Sequence, residues 1–177
     1  MPVKVVCAVI RKGFRVFCVQ KGGTKYPYTS YKWEFPGGKV EEGEIQQRAL
    51  RRELKEELNY DVKVEGRVTS VNYAYPDFEI DLHAWQCTPV KNATYTLNEH
   101  VDVHWVPLWK LKKMDFAAAD KVIIRKMRRK HLIASLLIAV CYSFIFVYYL
   151  FYFFSGWLLA GTLLWFILLV VLNYLYM

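Results

Sequence analysis

The sequence predicts an α/β domain followed by two membrane-spanning helices. Short stretches in which apolar and polar residues alternate, as in β-strands, recur through the first 106 residues. One longer stretch, residues 44–58, contains no Gly or Pro and is rich in strong helix formers. The last 46 residues, 132–177, contain no Asp, Glu, Lys or Arg. A chain of 177 residues has room for one domain of ordinary size and an appendage.

The N-terminal residues predict a β-hairpin followed by a loop. Apolar residues alternate through residues 3–9, a turn follows at residues 11–13, and residues 15–19 return to extended character. Residues 21–32 are rich in Gly, Thr, Ser and Tyr, which is typical of loops. This loop therefore separates the hairpin from the helical stretch and its preceding turn.

The helix predicted at residues 44–58 places apolar side chains at near-helical spacing. Asn59 is expected to end it in the left-handed conformation, which Asn tolerates better than other residues with a side chain. Later alternating stretches predict strands over residues 62–75, 78–87 and 101–106. A basic helix is predicted to begin near Ala117 and to run toward Lys130.

The positive charge is unevenly distributed. The net charge is +8, and residues 121–130 contain six Lys or Arg residues and no acid. Because this excess adjoins the apolar tail, it indicates contact with anionic lipid headgroups, and no nucleic-acid polymer is expected as a partner. The four cysteines form no Cys-x-x-Cys pair, and the N-terminus lacks the apolar run of a secretory signal. We therefore expect free thiols and a cytosolic domain.

Three acids of the predicted helix lie on one side. Glu53, Glu56 and Glu57 are spaced i, i+3 and i+4. In an ordinary solvated helix such acids pair with neighbours such as Arg52 and Lys55. Here a Pro-Gly-Gly loop lies upstream and exposes backbone. Three carboxylates on one face suit Mg²⁺ or Mn²⁺, which would bind phosphate oxygens and activate a water molecule.

The spacing around these acids matches a known pattern. Gly38, five residues, Glu44, seven residues and the run Arg52-Glu53-Leu54-Lys55-Glu56-Glu57-Leu58-Asn59-Tyr60 together resemble the Nudix box. Asn59 stands where that family usually has Gly. The segments Trp33-Glu34-Phe35-Pro36-Gly37-Gly38-Lys39 and Asp115-Phe116-Ala117-Ala118-Ala119-Asp120 resemble the MutT-type branch, which includes 8-oxo-dGTP diphosphatases. The resemblance covers about residues 3–130.

This resemblance implies an α/β/α sandwich with a mixed sheet. It also implies Mg²⁺-dependent (or Mn²⁺-dependent) attack of water on a nucleoside triphosphate, giving a monophosphate and pyrophosphate. The implied metal ligands are the Gly37 carbonyl, Glu53, Glu56 and Glu57. Glu57 or Glu53 would assist the attacking water, Arg52 would position a carboxylate, and Glu44 would orient the loop or a metal-bound water.

The resemblance also implies a nucleotide pocket. Its substrate-binding candidates are Lys21, Gly38, Lys39, Phe78 and Asp120. Asp120 would bind the base edge or, alternatively, cap the last helix. Glu99 would supply the base or complete the metal site; the alternative is a solvent-facing loop acid. Trp33 and Tyr26 would stack on a base or pack within the domain, and His83, His100 and His104 are given no catalytic role.

The apolar tail is too long for one membrane crossing. As a single helix its 46 residues would extend about 69 Å, against a hydrocarbon core of about 30 Å. Ser155-Gly156 divides it into residues 132–154 and 157–177, which predicts two antiparallel transmembrane helices. The preceding cations predict that both termini are cytoplasmic. An interfacial hairpin, a buried helix pair and a tail acquired by fusion or frame shift are the alternatives.

These patterns divide the chain into a catalytic domain, residues 1–130, and a membrane anchor, residues 131–177. The first functional hypothesis is a membrane-anchored hydrolase of (deoxy)nucleoside triphosphates that includes 8-oxo-dGTP among its substrates. In the second hypothesis the enzyme hydrolyses CTP, or CDP or UDP conjugates of envelope metabolism. The third is a membrane-tethered nucleotide sensor without turnover. The sequence favours no particular oligomeric state.

Overall fold

The computed structural model describes residues 1–152 and 158–175. The predicted turn at Ser155-Gly156 lies outside the described residues. The elements, in chain order, are β1 (Val3–Lys12), β2 (Arg15–Gln20), β3 (Trp33–Glu34), α1 (Gln46–Leu58), β4 (Val62–Ala74), β5 (Glu79–Pro89), β6 (Asp102–Pro107), a 3₁₀ turn (Leu111–Lys113), α2 (Ala118–Tyr152) and α3 (Leu158–Leu175). The predicted hairpin, the helix at residues 44–58 and the three later strands match these elements to within a few residues. The basic helix predicted to begin near Ala117 and most of the first predicted transmembrane helix, 132–154, belong to one helix, α2.

The strands form a mixed sheet, as the family resemblance predicts. β1 pairs in parallel with β5 from Val3↔Ile80 to Ile10↔Cys87, and β5 pairs antiparallel with β4. On its other side β1 forms the predicted hairpin with β2, which also pairs antiparallel with β3 and β6. β1 is therefore the central strand of the sheet.

Residues 36–39, which we call the glycine segment, also run along β1. Val6 N donates to the Gly38 carbonyl (2.9 Å) and Ala8 N to the Pro36 carbonyl (2.8 Å). Gly37, between them, has φ +148°, and a Cβ at this position would lie 2.2 Å from the Val6 carbonyl oxygen. No residue with a side chain can approach β1 so closely. The two glycines therefore fix this segment against the central strand.

Helix α1 packs its apolar face on the sheet. Ala49, Leu50, Leu54 and Leu58 are fully buried in a core with Phe17 of β2 and the apolar side chains of β1. The helix ends at Asn59, which is left-handed (φ 44°), so this prediction is confirmed. Burial of one face leaves the acidic residues of α1 on its other side.

The opposite face of the sheet is covered as well. Successive side chains of a strand point to opposite faces, so Cys7 lies on the other face of β1 from its neighbours Val6 and Ala8, which pack in the core with α1. Cys7 is buried as well. Burial, and then the neighbouring Asp120 carboxyl in the first turn of α2, hold the pKa of Cys7 well above its ordinary value. The start of α2 thus covers this face, and the domain has the expected sandwich of helices around a sheet.

The described residues divide into two compact units, Met1–Lys126 and the described part of Met127–Met177. In the described part of the chain, one helical stretch, Ala118–Leu150, is long and apolar enough to cross a membrane. Its most apolar window has mean hydropathy 2.2 and is not buried within the protein. The other apolar stretch, Gly161–Leu175, is shorter. Crossing of a membrane by either helix therefore stays a prediction.

Candidate active site

A cavity of about 610 Å³ opens beside the central strand. Its walls come from the first half of β1, from β5, from the loop at residues 21–29, from the glycine segment, from α1 and from the start of α2. The glycine segment carries Gly37 and Gly38, and α1 contributes Glu53 and Glu57. The topology therefore brings segments that are distant in the chain to one site.

Arg52 organises the carboxylates beside this cavity. Its guanidinium donates two hydrogen bonds to Glu44 (3.0 and 3.2 Å), one to Glu53 Oε1 (3.0 Å) and one to Glu56 Oε2 (3.2 Å). It also donates to the Lys39 carbonyl oxygen (3.1 Å). The bonds from Arg52 hold the pKa of Glu44 below its ordinary value. One planar cation thus joins α1 to the glycine segment and offsets the repulsion among three acids.

Gly38 leaves space for the Glu53 carboxylate. A Cβ on Gly38 would lie 2.3 Å from the carboxyl carbon of Glu53 and 2.3 Å from one of its oxygens. Any side chain at this position would displace that carboxylate. The glycine pair therefore has two separate roles, since Gly37 permits the contact with β1 and Gly38 the contact with α1.

Glu57 lies deeper than the other acids of α1. Its Oε2 atom is buried and has no hydrogen-bond partner among the described residues. Burial raises the pKa of Glu57 to about 7; His100 lowers it, and Glu34, Glu53 and Glu99 add to the increase. A carboxyl group with this pKa can both accept and release a proton near neutral pH.

The loop after β5 closes over the end of α1. Asn98 donates from its backbone N to the Glu57 carbonyl (3.0 Å) and from Nδ2 to the Glu56 carbonyl (2.7 Å). The next residue, Glu99, is exposed and does not line the cavity. The side chain of His100 is buried instead, and its Nε2 lies 3.5 Å from Glu34 Oε1. This loop therefore places an imidazole beside Glu34, whereas the Glu99 side chain is exposed.

Asp120 contributes another part of the cavity wall, from the start of α2. Its side chain is buried, and its Oδ1 accepts a hydrogen bond from Phe35 N (3.0 Å). The carboxyl thus bonds to a segment outside α2, and it also interacts with its own backbone N–H in the first turn of that helix. Burial raises the pKa of Asp120 to about 8, and Glu34 adds to this increase. The group is therefore mainly a neutral carboxylic acid at pH 7.

Aromatic rings also form part of the cavity wall. Tyr26 and Phe78 have ring centroids 5.1 Å apart, and Phe78 and Tyr75 are 4.9 Å apart. All three rings line the cavity. Trp33 packs on His104 instead (5.0 Å) and is not a lining residue. Of the two aromatic residues considered for base stacking, Tyr26 has the suitable position.

The cavity brings together most of the site residues predicted from the sequence. All the substrate-binding candidates line it, as do three of the metal-ligand candidates: Lys21, Gly38, Lys39, Phe78, Asp120, Gly37, Glu53 and Glu57. Glu56 is 57% exposed and pairs with Arg52. Glu44 and Arg52 are not among the lining residues. Sequence reasoning did not select Glu34 or Tyr75. Glu34 directly precedes the Phe-Pro-Gly-Gly motif, and this position next to the motif could have indicated a site residue.

The donor set fits a divalent cation in part. Within residues 1–152 and 158–175, no three His, Cys, Asp or Glu side chains converge closely enough to hold a metal ion. The bonds from Arg52 to Glu53 and Glu56 explain this, because they turn two of the three acids toward the guanidinium. The buried, unpartnered Glu57 oxygen and the Glu53 carboxylate both line the cavity. These hard oxygen donors suit Mg²⁺.

The match of almost the whole domain to one family model identifies the family. The model of the NUDIX domain family matches residues 1–127, which contain this cavity. The chain is a Nudix hydrolase. The 8-oxo-dGTP diphosphatase of Buchnera aphidicola subsp. Acyrthosiphon pisum (strain APS) is 30% identical over 110 residues, covering 62% of this chain and 88% of that protein.

Two further proteins are similar to this Nudix hydrolase. The CTP pyrophosphohydrolase of Escherichia coli (strain K12) is 34% identical over 121 residues, covering 67% of this chain and 85% of that protein. The crystal structure of a MutT protein from Methanosarcina mazei Go1 aligns with TM-score 0.64 at 22% identity, covering 73% and 95% of the two chains. At this identity the structural likeness shows the fold alone.

Replacing Arg52 by Lys tests whether the guanidinium organises the acids of this Nudix hydrolase. Lysine cannot donate to three carboxylates and a carbonyl at once. Because Glu53 would lose its fixed position, we expect Arg52→Lys to lower kcat by about 10²-fold. Arg51→Lys, an exchange at the exposed neighbouring position, is the matched control and should retain activity. Equal kcat values for the two variants would contradict the role of Arg52.

Replacing Asp120 by Asn tests its raised pKa. Between pH 4 and 8, roughly, the folded protein keeps a proton on Asp120 that the unfolded chain releases, so wild-type stability falls as pH rises through this range. The amide of the introduced asparagine would keep the acceptor for Phe35 N without titrating. The melting temperature of Asp120→Asn minus that of wild type should therefore be higher at pH 8 than at pH 5, by at least about 4 °C. A difference independent of pH would contradict this burial effect.

Proposed function

We propose that this Nudix hydrolase converts nucleoside triphosphates to monophosphates and pyrophosphate with Mg²⁺, and that 8-oxo-dGTP is a substrate. The observation that carries this proposal is the arrangement of a single cavity. Glu53 and Glu57 of α1 contribute one part of its wall, and Asp120 at the start of α2 contributes another together with aromatic rings. A cavity of about 610 Å³ is within the usual range for a ligand of nucleotide size.

The part of the cavity beside Glu53 and Glu57 would handle the phosphates. Bound Mg²⁺ would neutralise phosphate oxygens there and increase the acidity of a water molecule. Glu53 and Glu57 would hold the metal, together with the Gly37 carbonyl. β1 donates to the carbonyls on either side of it, those of Pro36 and Gly38. Lys39 lines the same region, and its ammonium would attract the triphosphate.

Glu57 is the best-placed group to accept a proton from the attacking water. Its carboxyl lines the cavity, and its buried Oε2 has no hydrogen-bond partner among the described residues. The exposed Glu99 is less well placed, since it does not line the cavity. Arg52 and Glu44 would act through Glu53 by fixing its carboxylate beside Gly38.

The part of the cavity beside Asp120 would bind the base. A protonated Asp120 offers one donor and one acceptor side by side. The corresponding edge of guanine presents two acceptors, N7 and O6. In 8-oxoguanine N7 carries a hydrogen, so this edge presents a donor beside an acceptor and complements the neutral acid. Tyr26 and Phe78 would contact the face of the ring.

CTP is a second candidate substrate. Cytosine presents its N4 amino donor beside the N3 acceptor, which also complements a protonated carboxyl. The similar Escherichia coli protein named CTP pyrophosphohydrolase supports this alternative. Conjugates of CDP or UDP would share the same diphosphate chemistry.

We further propose that the catalytic domain is tethered to the cytosolic face of a membrane. The apolar stretch Ala118–Leu150 supports this proposal by its length and composition. The six cations of residues 121–130 precede the uncharged part of the chain, and cations favour the cytosolic side. Residues 132–177 would then contact the bilayer.

A substrate panel tests the proposed reaction. Full-length protein with Mg²⁺ should release pyrophosphate and the monophosphate from 8-oxo-dGTP, with kcat/KM about 10²-fold or more above that for dGTP, since dGTP lacks the N7 donor. EDTA should abolish turnover. Higher kcat/KM for CTP than for 8-oxo-dGTP would favour the second candidate, and no turnover of any triphosphate or nucleotide conjugate would favour a binding role.

Replacing Glu57 by Gln tests its role as proton acceptor and metal ligand. Gln keeps the shape of the side chain and cannot take up the proton, so kcat should fall by about 10²-fold or more while the protein remains folded. Glu42→Gln removes an exposed acid of the preceding loop and should retain wild-type turnover. Wild-type kcat in Glu57→Gln would remove Glu57 from the reaction.

A further inference from the structure

One surface of the domain, away from the cavity lining, combines basic residues with an exposed indole. It is formed by the β1–β2 turn and the segment after β6. We call it the basic aromatic patch and define it by Lys12, Arg15, Trp109, Lys110, Lys112 and Lys113. The five cations are exposed, and Trp109 is 41% exposed.

The backbone holds this patch together. Arg15 is paired with Pro107 across β2 and β6, and Leu108 N donates to the Phe14 carbonyl (3.1 Å). Lys110 N donates to the Pro107 carbonyl (2.8 Å). Leu111 is buried and fixes the 3₁₀ turn between its lysines. The patch is therefore a defined part of the folded domain.

No acid balances the patch. The first acidic residue of the chain is Glu34, and none occurs between Asp102 and Asp115. Asp115 is engaged by Lys32 and Lys121, and Asp102 lies 3.1 Å from His104. Among the residues that the structure describes, none of the five cations of the patch forms an ion pair with a carboxylate. Their charge is available to an anionic partner.

We propose that the basic aromatic patch binds anionic phospholipid headgroups, so that the domain docks on the membrane surface. This inference rests on the proposed membrane tether. Clustered Lys and Arg are attracted to anionic bilayers, and Trp favours the level of the headgroups. The apolar continuation of the chain after this domain would keep such a bilayer nearby. These two features together favour a lipid surface over a nucleic acid.

Amide hydrogen exchange of the full-length protein in nanodiscs tests this docking. Discs of phosphatidylcholine alone are compared with discs that contain about 30% phosphatidylserine. Exchange in residues 12–15 and 108–113 should be about tenfold slower in the anionic discs, and about 0.5 M NaCl should remove the difference. Equal exchange in the two kinds of disc would overturn the proposal.

Charge reversal supplies the matched comparison. K110E/K112E/K113E should lose the protection that phosphatidylserine gives, whereas K4E/K63E/K91E, an equal change at exposed lysines outside the patch, should keep it. Loss in both triple variants would show a general charge effect and overturn the assignment to the patch. Protection of the wild-type segments by an RNA oligonucleotide as strong as that by phosphatidylserine would overturn the assignment to lipid.

Extraction with alkaline carbonate tests the tether separately. Retention of the chain in the membrane pellet supports the spanning helix. If carbonate releases the chain, the tether proposal fails, and the exchange experiment is repeated with added vesicles in place of nanodiscs. Slower exchange with phosphatidylserine vesicles would still support the patch, and unchanged exchange would overturn it.

Discussion

The guanidinium of Arg52 offsets the repulsion of three carboxylates that the site places close together. It bonds to Glu44, Glu53 and Glu56, and through the Lys39 carbonyl it also bonds to the glycine segment. The arrangement depends equally on backbone space, because only a glycine at position 38 admits the Glu53 carboxylate. An acidic site of this kind therefore needs a planar cation that bonds to the carboxylates. It also needs a glycine where one of those carboxylates packs against the backbone.

Glu34 links Glu57 and Asp120 electrostatically. Its carboxylate lies 3.4 Å from Lys21 and 3.5 Å from His100, and it adds to the effect of burial on the pKa of both Glu57 and Asp120. With the pKa of Asp120 raised to about 8, the cavity carries less negative charge at neutral pH than its acids would suggest. This matters for a polyanionic substrate, since a further full negative charge would repel it.

Local patterns in the sequence predicted local structure well. The hairpin, the helix and the left-handed Asn59 follow from alternation, helical spacing and the conformational tolerance of Asn. The contacts of Glu34 and His100 could not be predicted in this way, because they arise when the loop after β5 folds over α1 and meets β3. Glu99 and His100 are adjacent in the sequence, and only the folded loop decides which of them is buried beside Glu34. Asp120 illustrates the same limit, since its partner, Phe35, lies 85 residues away.

Most of the positive charge of this protein lies outside the substrate cavity. Two lysines line the cavity, Lys21 and Lys39, and Lys21 is paired with Glu34. Most of the excess positive charge lies elsewhere, in the basic aromatic patch and in residues 121–130. Cations that served mainly to attract nucleotides would be concentrated at the mouth of the cavity, because focusing of the field there increases the rate of encounter. Their position outside it agrees better with attraction to an extended anionic surface, as the proposed tether and docking require.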